Sequence, residues 1–352
     1  MKKKRIFYSY VGKSTFIPKD LAIFNSVYEV IEFNFQSSTK SGTIFLFIKQ
    51  FYKLLFYGIK SDLFVSHFSG YHSLLPGLFG IFFRKKILII SGGTDCHSFP
   101  SIGYGNFQKS ILKWFTIWSY RFCDHISPKH NSLWECVYTY DKHDFPRQGI
   151  HAFMPYLNKK YTSIPNGFDS TLYSRCTEKK MKTFLTIAGN LHYPFQMQLK
   201  GIDLILDIVF SLPDYTFTIV GKPVVNNSFY IPPNVIFKDP IPTSNLILEY
   251  SRSEYYLQLS MAEGFPNSLC EAMLCECIPI GSNVFSIPEI IGDNGFVLQH
   301  RNKTELESLL KQLCTTSNRE MGIHARVHVE VNYPLTRRKT ELLQLCDELI
   351  NH

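Results

Sequence analysis

Tyr255-Tyr-Leu-Gln-Leu-Ser260 is an aromatic and aliphatic run with no breaker inside it, followed by Gly264-Phe-Pro266 and an apolar helical pattern from Leu269 to Cys275. No other feature narrows the choice of fold as much. A short run of this kind suits a strand buried on both faces, as in a parallel sheet covered by helices. The strand should stop at Gly264, because proline presets φ and lacks an N–H, which suits the first turn of a helix. Asn267 or Ser268 is placed to cap the orphan amides of that turn. The unit reads as strand, turn and helix of an open α/β sheet, in which ligands bind beyond the carboxyl ends of the strands.

Two carboxylates, Glu263 and Glu271, bracket the turn. A helix N-terminus favours an anion, typically a phosphate. Carboxylates beside it would repel that phosphate, so they should face neutral hydroxyls, and the vicinal diols of ribose and hexose are suitable donors. A nucleotide sugar offers both halves. The spacing alone would equally describe a solvated helix face; the strand, the turn and Ala272-Met273 favour the site.

Glu263 and Glu271 with seven residues between, then Ala272-Met273 and Ile287-Pro-Glu-Ile-Ile-Gly292, resemble the donor motif of the retaining family 4 glycosyltransferases. The resemblance is closest over residues 160–300. It implies a GT-B fold, two Rossmann-like α/β domains with parallel sheets facing across a cleft. It also implies that Glu263 contacts the donor hexose and Glu271 the ribose. Backbone at Gly264, Phe265 and Pro266 would line the sugar pocket, and amides near Ser268 and Leu269 would meet the diphosphate.

At 352 residues the chain is too long for one ordinary core. The expected division is an acceptor domain over 1–170, a donor domain over 171–332, and a helix over 333–352 that returns to the first domain. Tyr161-Thr-Ser-Ile-Pro-Asn-Gly-Phe-Asp169 resembles the segment that closes the first domain, with Asn166-Gly167 suited to positive φ. Thr177 to Lys182 reads as the linker. Residues 1–160 hold 21 Lys/Arg against 9 Asp/Glu, whereas residues 161–352 hold 16 against 20. That charge is not organised as a nucleic-acid recognition motif, so nucleic acid is disfavoured as a partner. Nine cysteines without C-x-x-C or zinc spacing indicate reduced thiols in a cytoplasmic protein. Lys2 to Arg5 resembles the start of a signal peptide, but Ile6 to Val11 is too short and too polar to continue one.

Gly12-Lys-Ser-Thr15 follows a first strand, yet a P-loop would need a glycine five positions before Gly12, where Phe7 stands. The resemblance instead brings Gly12 toward the donor phosphates. Strands ending at His67 and Ser91 should share the cleft rim. Gly92-Gly-Thr-Asp95 resembles a His-Gly-x-Asp segment with glycine in place of the histidine. Asp95, helped by His67 or His97, is therefore the candidate catalytic group of the first domain, the alternative being a turn aspartate. Lys200 opens a helix and suits a diphosphate as a point charge. Asn190 stands where the family carries a second, arginine clamp, unless Lys222 replaces it. Glu289 reads as a capping residue rather than a ligand.

Ile44 to Ile59 is apolar nearly all round, interrupted by Lys49 and Lys53. It suits either a core helix or one dipped into a membrane surface. Phe107 to Asp124 interleaves Lys109, Lys113 and Arg121 with tryptophan and phenylalanine, which suits anionic lipid or a solvated helix face. The expected activity is metal-independent, retaining sugar transfer from a nucleotide diphosphate-sugar, with no further cofactor. The expected acceptor is a lipid-linked glycan at the inner membrane face, in capsule or lipopolysaccharide assembly. The alternatives are a nucleotide-sugar epimerase of the same fold and a non-catalytic nucleotide-sugar-binding membrane scaffold.

Overall fold

The computed structural model describes residues 3–12, 16–189, 191–221, 230–313 and 319–351. The first sheet begins with β1 (Arg5–Tyr10), β2 (Glu29–Asn34), β3 (Leu63–His67), β4 (Lys86–Ser91) and β5 (His125–Pro128). A small antiparallel hairpin, β6 (Cys136–Val137) with β7 (Arg147–Gln148), intervenes before β8 (Lys160–Tyr161). The sheet is wholly parallel in the order β2-β1-β3-β4-β5-β8. A second six-stranded parallel sheet comprises β9 (Lys180–Ile187), β10 (Thr216–Val220), β11 (Val235–Lys238), β12 (Ser253–Gln258), β13 (Ile278–Ser282) and β14 (Phe296–Leu298), ordered β11-β10-β9-β12-β13-β14.

These orders reverse direction once each, between β1 and β3 in the first sheet and between β9 and β12 in the second. At such a switch point the two flanking connections leave on opposite sides and open a crevice beyond the strand ends. The apolar runs form strands because helices cover both faces of each sheet. In β4 the alternation divides the run, with Leu88 and Ile90 in one core cluster and Ile87 and Ile89 in the other.

The helix Leu335–Asn351 lies on the first sheet. It buries Leu342, Leu345 and Cys346 with Ile6, Tyr8, Leu63 and Val65. Arg338 of this helix donates from Nε and Nη2 to the two oxygens of Asp20, at 2.8 and 2.7 Å, with both side chains buried. Its Nη1 donates to the carbonyls of Ile164 and Pro165. Neither Asn166 nor Gly167 adopts positive φ. Gly167 is needed for proximity instead, since a Cβ there would lie 2.7 Å from the Leu335 Cα.

The core alternative for the greasy helix does not hold. The helix runs Lys40–Phe56, capped by Thr39, and buries only Gln50 and Leu54. Ile44, Phe45 and Phe56 are 63%, 65% and 65% exposed. It packs beside Tyr71–Phe83, which packs in turn beside Ser110–Phe122. Among the described residues no helix is long and apolar enough to cross a membrane.

Candidate active site

The switch point of the second sheet carries the sharpest arrangement of charge. Gly201 has φ +69°, and a Cβ there would stand 2.2 Å from the Leu259 carbonyl oxygen. Only glycine therefore lets the segment after β9 settle against the end of β12. That approach brings Lys200 to Glu263. Lys200 Nζ donates to Glu263 Oε1 at 2.5 Å, joined by Ser260 Oγ at 3.0 Å and Gln258 Nε2 at 3.3 Å. Ser268 Oγ donates to Gln258 Oε1 at 3.3 Å, linking the following helix to the same network.

That helix spans Asn267–Leu274, with Pro266 at the cap position and no side-chain cap. The expected capping by Asn267 or Ser268 is thus corrected: Ser268 turns toward Gln258, and Asn267 Oδ1 accepts from Asn166 Nδ2 of the first half at 2.7 Å. Leu269 is buried in the core. Glu271 is also buried, and its two oxygens accept from the hydroxyls of Tyr173 at 3.0 Å and Tyr250 at 3.2 Å. Burial raises its pKa, opposed by the Lys19 ammonium and the two tyrosine hydrogen bonds.

The first sheet meets this turn through glycine. A Cβ on Gly264 would lie 1.5 Å from the Gly92 carbonyl oxygen. A Cβ on Gly92 would lie 1.8 Å from the Phe68 ring. A histidine at position 92 would require the Phe68 ring to move. Phe265 is buried, with its ring near those of Phe168 and Tyr333. His130 and Glu289 also meet across the cleft, Nε2 to Oε2 at 2.8 Å, so Glu289 bridges the two halves.

Asp95 does not face the cleft. It is fully buried, with Oδ1 accepting from the amides of Gly92 and Gly93 and Oδ2 from the Ser69 amide and the Tyr120 hydroxyl. These four donors and the Cys96 thiol, which donates to Oδ1, use its acceptor capacity to hold the loop after β4, so the turn-aspartate alternative describes it and the catalytic expectation is corrected. His67 and His97 are buried too. Burial drives both below the ordinary histidine value, His97 to about 3, so both rings are neutral. Gly12 has φ +65° and donates its amide to Asn34 Oδ1 at 2.9 Å. Residues 13–15, Asn190 and Lys222 lie outside the described residues.

Sequence reasoning missed the groups supplied from a distance. Tyr173 and Tyr250 hold Glu271, while Gln258 and Ser260 hold Glu263. Lys19 projects over the Phe168 ring, with Nζ 4.8 Å from its centroid, and acts electrostatically on Glu271. Lys129, just past β5, is 2% exposed, with Nζ 3.4 Å from the centroid of Phe16. Burial lowers its pKa to about 7. The rule that parallel strands end on the cleft rim could have found Lys129, as it found Asp95. Among the described residues no three His, Cys, Asp or Glu side chains converge as metal ligands.

Residues 182–316 match the family model described as "Glycosyl transferases group 1". No curated protein sequence matches the chain. Among solved structures, the sucrose-phosphate synthase of Thermosynechococcus elongatus superposes with TM-score 0.71 at 13% identity, over 99% of this chain and 100% of its own. Anabaena HepE in complex with UDP and glucose gives 0.69 at 13%, over 97% and 99%. A glycosyltransferase from Rickettsia africae gives 0.66 at 13%, over 99% of both chains. The shared architecture is GT-B.

Proposed function

We propose that the chain, whose residues 182–316 match the group 1 glycosyltransferase family model and whose fold is GT-B, moves a sugar, with retention, from a nucleoside diphosphate to an acceptor hydroxyl. The observation that carries this reading is the meeting of Lys200 and Glu263 at the switch point of the second sheet. One group suits phosphate oxygens and the other sugar hydroxyls, and a nucleotide sugar presents both within a few ångströms of one another. The HepE structures hold UDP and UDP-glucose, which favours a uridine donor here.

In this scheme Lys200 leaves Glu263 for the diphosphate, and the amides near Ser268 and Leu269 stabilise the same charge as it develops on the leaving group. Glu263, still held by Ser260 and Gln258, then accepts from the hexose hydroxyls. Tyr173 and Tyr250 orient Glu271 toward the ribose diol, and backbone at Gly264, Phe265 and Pro266 closes the sugar pocket. Gly12 approaches the phosphates from the first sheet. No metal ion is assigned a role.

The acceptor we infer is a lipid-linked glycan of cell-surface polysaccharide biosynthesis, reached from the cytoplasmic face of a membrane. The adjacent helices Lys40–Phe56, Tyr71–Phe83 and Ser110–Phe122 expose Phe45, Phe56, Phe82 and Trp114 beside the exposed cations Lys49, Lys109, Lys113 and Arg121. Aromatic and basic groups mixed on one surface suit the boundary of an anionic bilayer. The eight described cysteines are free thiols, which fits a reducing compartment.

The test is a thermal-shift series with UDP-, GDP- and ADP-glucose. Ligand at about 100 times Kd should stabilise the protein by about 2.7 kcal/mol. Absence of any shift with all three nucleotides would sink the donor reading. Turnover of Glu263→Gln within about threefold of wild type would contradict the role given to Glu263.

A further inference from the structure

Phe285 reaches from the turn after β13 into the first half of the chain. Its φ of +48° is the left-handed backbone that a bulky side chain rarely adopts, and strain of this kind is retained where the surroundings or the function demand it. The ring lies 4.0 Å from that of His97, 6.1 Å from Tyr138 and 6.2 Å from Phe99, centroid to centroid. Ser286, the next residue, donates from Oγ to the Gly264 carbonyl at 2.9 Å, tying this knob to the turn that carries Glu263.

The socket around it has unmet hydrogen-bonding needs. Both ring nitrogens of His97 and the hydroxyl of Tyr138 are sealed without a partner. So are the Tyr140 hydroxyl and Arg301 Nε, which act electrostatically on the same group. Thirteen buried side-chain polar atoms lack a partner among the described residues, and three of them lie on His97 and Tyr138, two of the rings that surround Phe285. Buried polar groups are ordinarily paired, so this concentration marks a place where hydroxyls are wanted.

Ser101 and Tyr140, each two residues past Phe99 and Tyr138, help line a cavity of about 650 Å³, with His143 from the same half and Gln198, Met261 and Arg301 from the other. Gln198 and Met261 each stand two residues before Lys200 and Glu263, so the cavity adjoins the donor-side pair. Two of its charged pairs are closed on themselves, Arg301 with Asp203 and His143 with Asp141, while Lys142 and His300 also line it. An anion finds no spare cation in those two pairs. A neutral ring with one apolar face for the aromatics and hydroxyls at its rim fits both the socket and the cavity. The neutral imidazole of His97 offers such a hydroxyl one N–H and one lone pair.

We propose that His97, Phe99 and Tyr138 form the acceptor subsite for an uncharged pyranose, and that Phe285 fills it until the sugar displaces the phenyl ring. The proposal rests on the glycosyl-transfer reading above and assigns its acceptor side. Methyl α-glucoside, methyl α-galactoside, methyl α-mannoside and methyl N-acetyl-α-glucosaminide are the probes, with binding followed by saturation-transfer NMR in the presence of UDP. Phe285→Gly relieves the strained φ and empties the socket, and at least one glycoside should then bind about fivefold tighter or more, because the competing occupant is gone. Adding Tyr138→Phe, which deletes one oxygen and keeps the ring, should reverse most of that gain, with thermal melts confirming that each variant is folded. Unchanged glycoside binding on opening the socket, or a gain indifferent to Tyr138→Phe, overturns the subsite. UDP titrated into wild type separates the two readings. UDP binding without a glycoside response defeats the subsite alone, whereas a tightened glycoside with no nucleotide binding upholds a sugar site and defeats the donor assignment.

Discussion

Replacing Glu263 with glutamine removes one charge and almost no volume, and the Lys200 contact makes its effect on two related ligands diverge. In the free protein Lys200 is 2.5 Å from Glu263 Oε1, with the side chains 28% and 16% exposed. A nucleoside diphosphate without sugar must draw Lys200 away and receives nothing from Glu263 in return. A charge-assisted hydrogen bond contributes about 1.5–3 kcal/mol and an exposed ion pair about 0.2–1 kcal/mol, so a half-sheltered pair falls near 1.5 kcal/mol. Glu263→Gln should therefore tighten UDP about tenfold. UDP-glucose gains the same release but loses a charged acceptor for its hydroxyls, about 1.5–3 kcal/mol, so its affinity should stay level or fall. The ratio of the two dissociation constants is the diagnostic, measured by isothermal titration at one ionic strength. If the variant binds UDP more weakly than wild type, or both ligands shift in parallel, Lys200 and Glu263 do not divide phosphate and sugar between them.

Arg338→Ala should cost about 3–5 kcal/mol in urea unfolding, because it strands the buried Asp20 carboxylate, and a loss under about 1 kcal/mol would show the pair to be dispensable. The pKa of His97 is held near 3, below the ordinary 6.5, so protonation opposes folding. Its contribution to stability is full above pH 6.5 and is lost as pH falls toward 3, so between pH 6 and pH 5 wild type should lose about 1 kcal/mol more than His97→Phe; equal slopes would refute this. Replacing Lys109, Lys113 and Arg121 together by alanine should reduce co-sedimentation with anionic vesicles severalfold, and unchanged pelleting would end the membrane reading.

The strands were legible because a parallel sheet covered on both faces demands unbroken apolar runs, and Lys86–Ser91 and Tyr255–Ser260 supply them. Glu263, Glu271 and Lys200 were legible as candidates because Glu263 follows a strand end, Glu271 lies in the helix after it, and Lys200 stands just before a helix. Their partners were not, because contacts such as Tyr173 to Glu271 and Lys200 to Glu263 span 98 and 63 residues. Asp95 shows the opposite difficulty. A strand-end aspartate reads alike whether it faces a ligand or gathers its own loop, and only the donors around it decide. The exposed face of Lys40–Phe56 was ambiguous for a related reason, since apolar residues all round a helix do not say which neighbours arrive to cover them.

Leu342, Leu345 and Cys346 cover the face of β1 and β3 formed by Ile6, Tyr8, Leu63 and Val65. During synthesis those earlier strands emerge roughly three hundred residues ahead of their lid, tens of seconds at ordinary ribosomal speed. The amino-terminal half must wait with a greasy flank bare until that helix has emerged, and severing the molecule between its lobes would leave that half unable to complete itself.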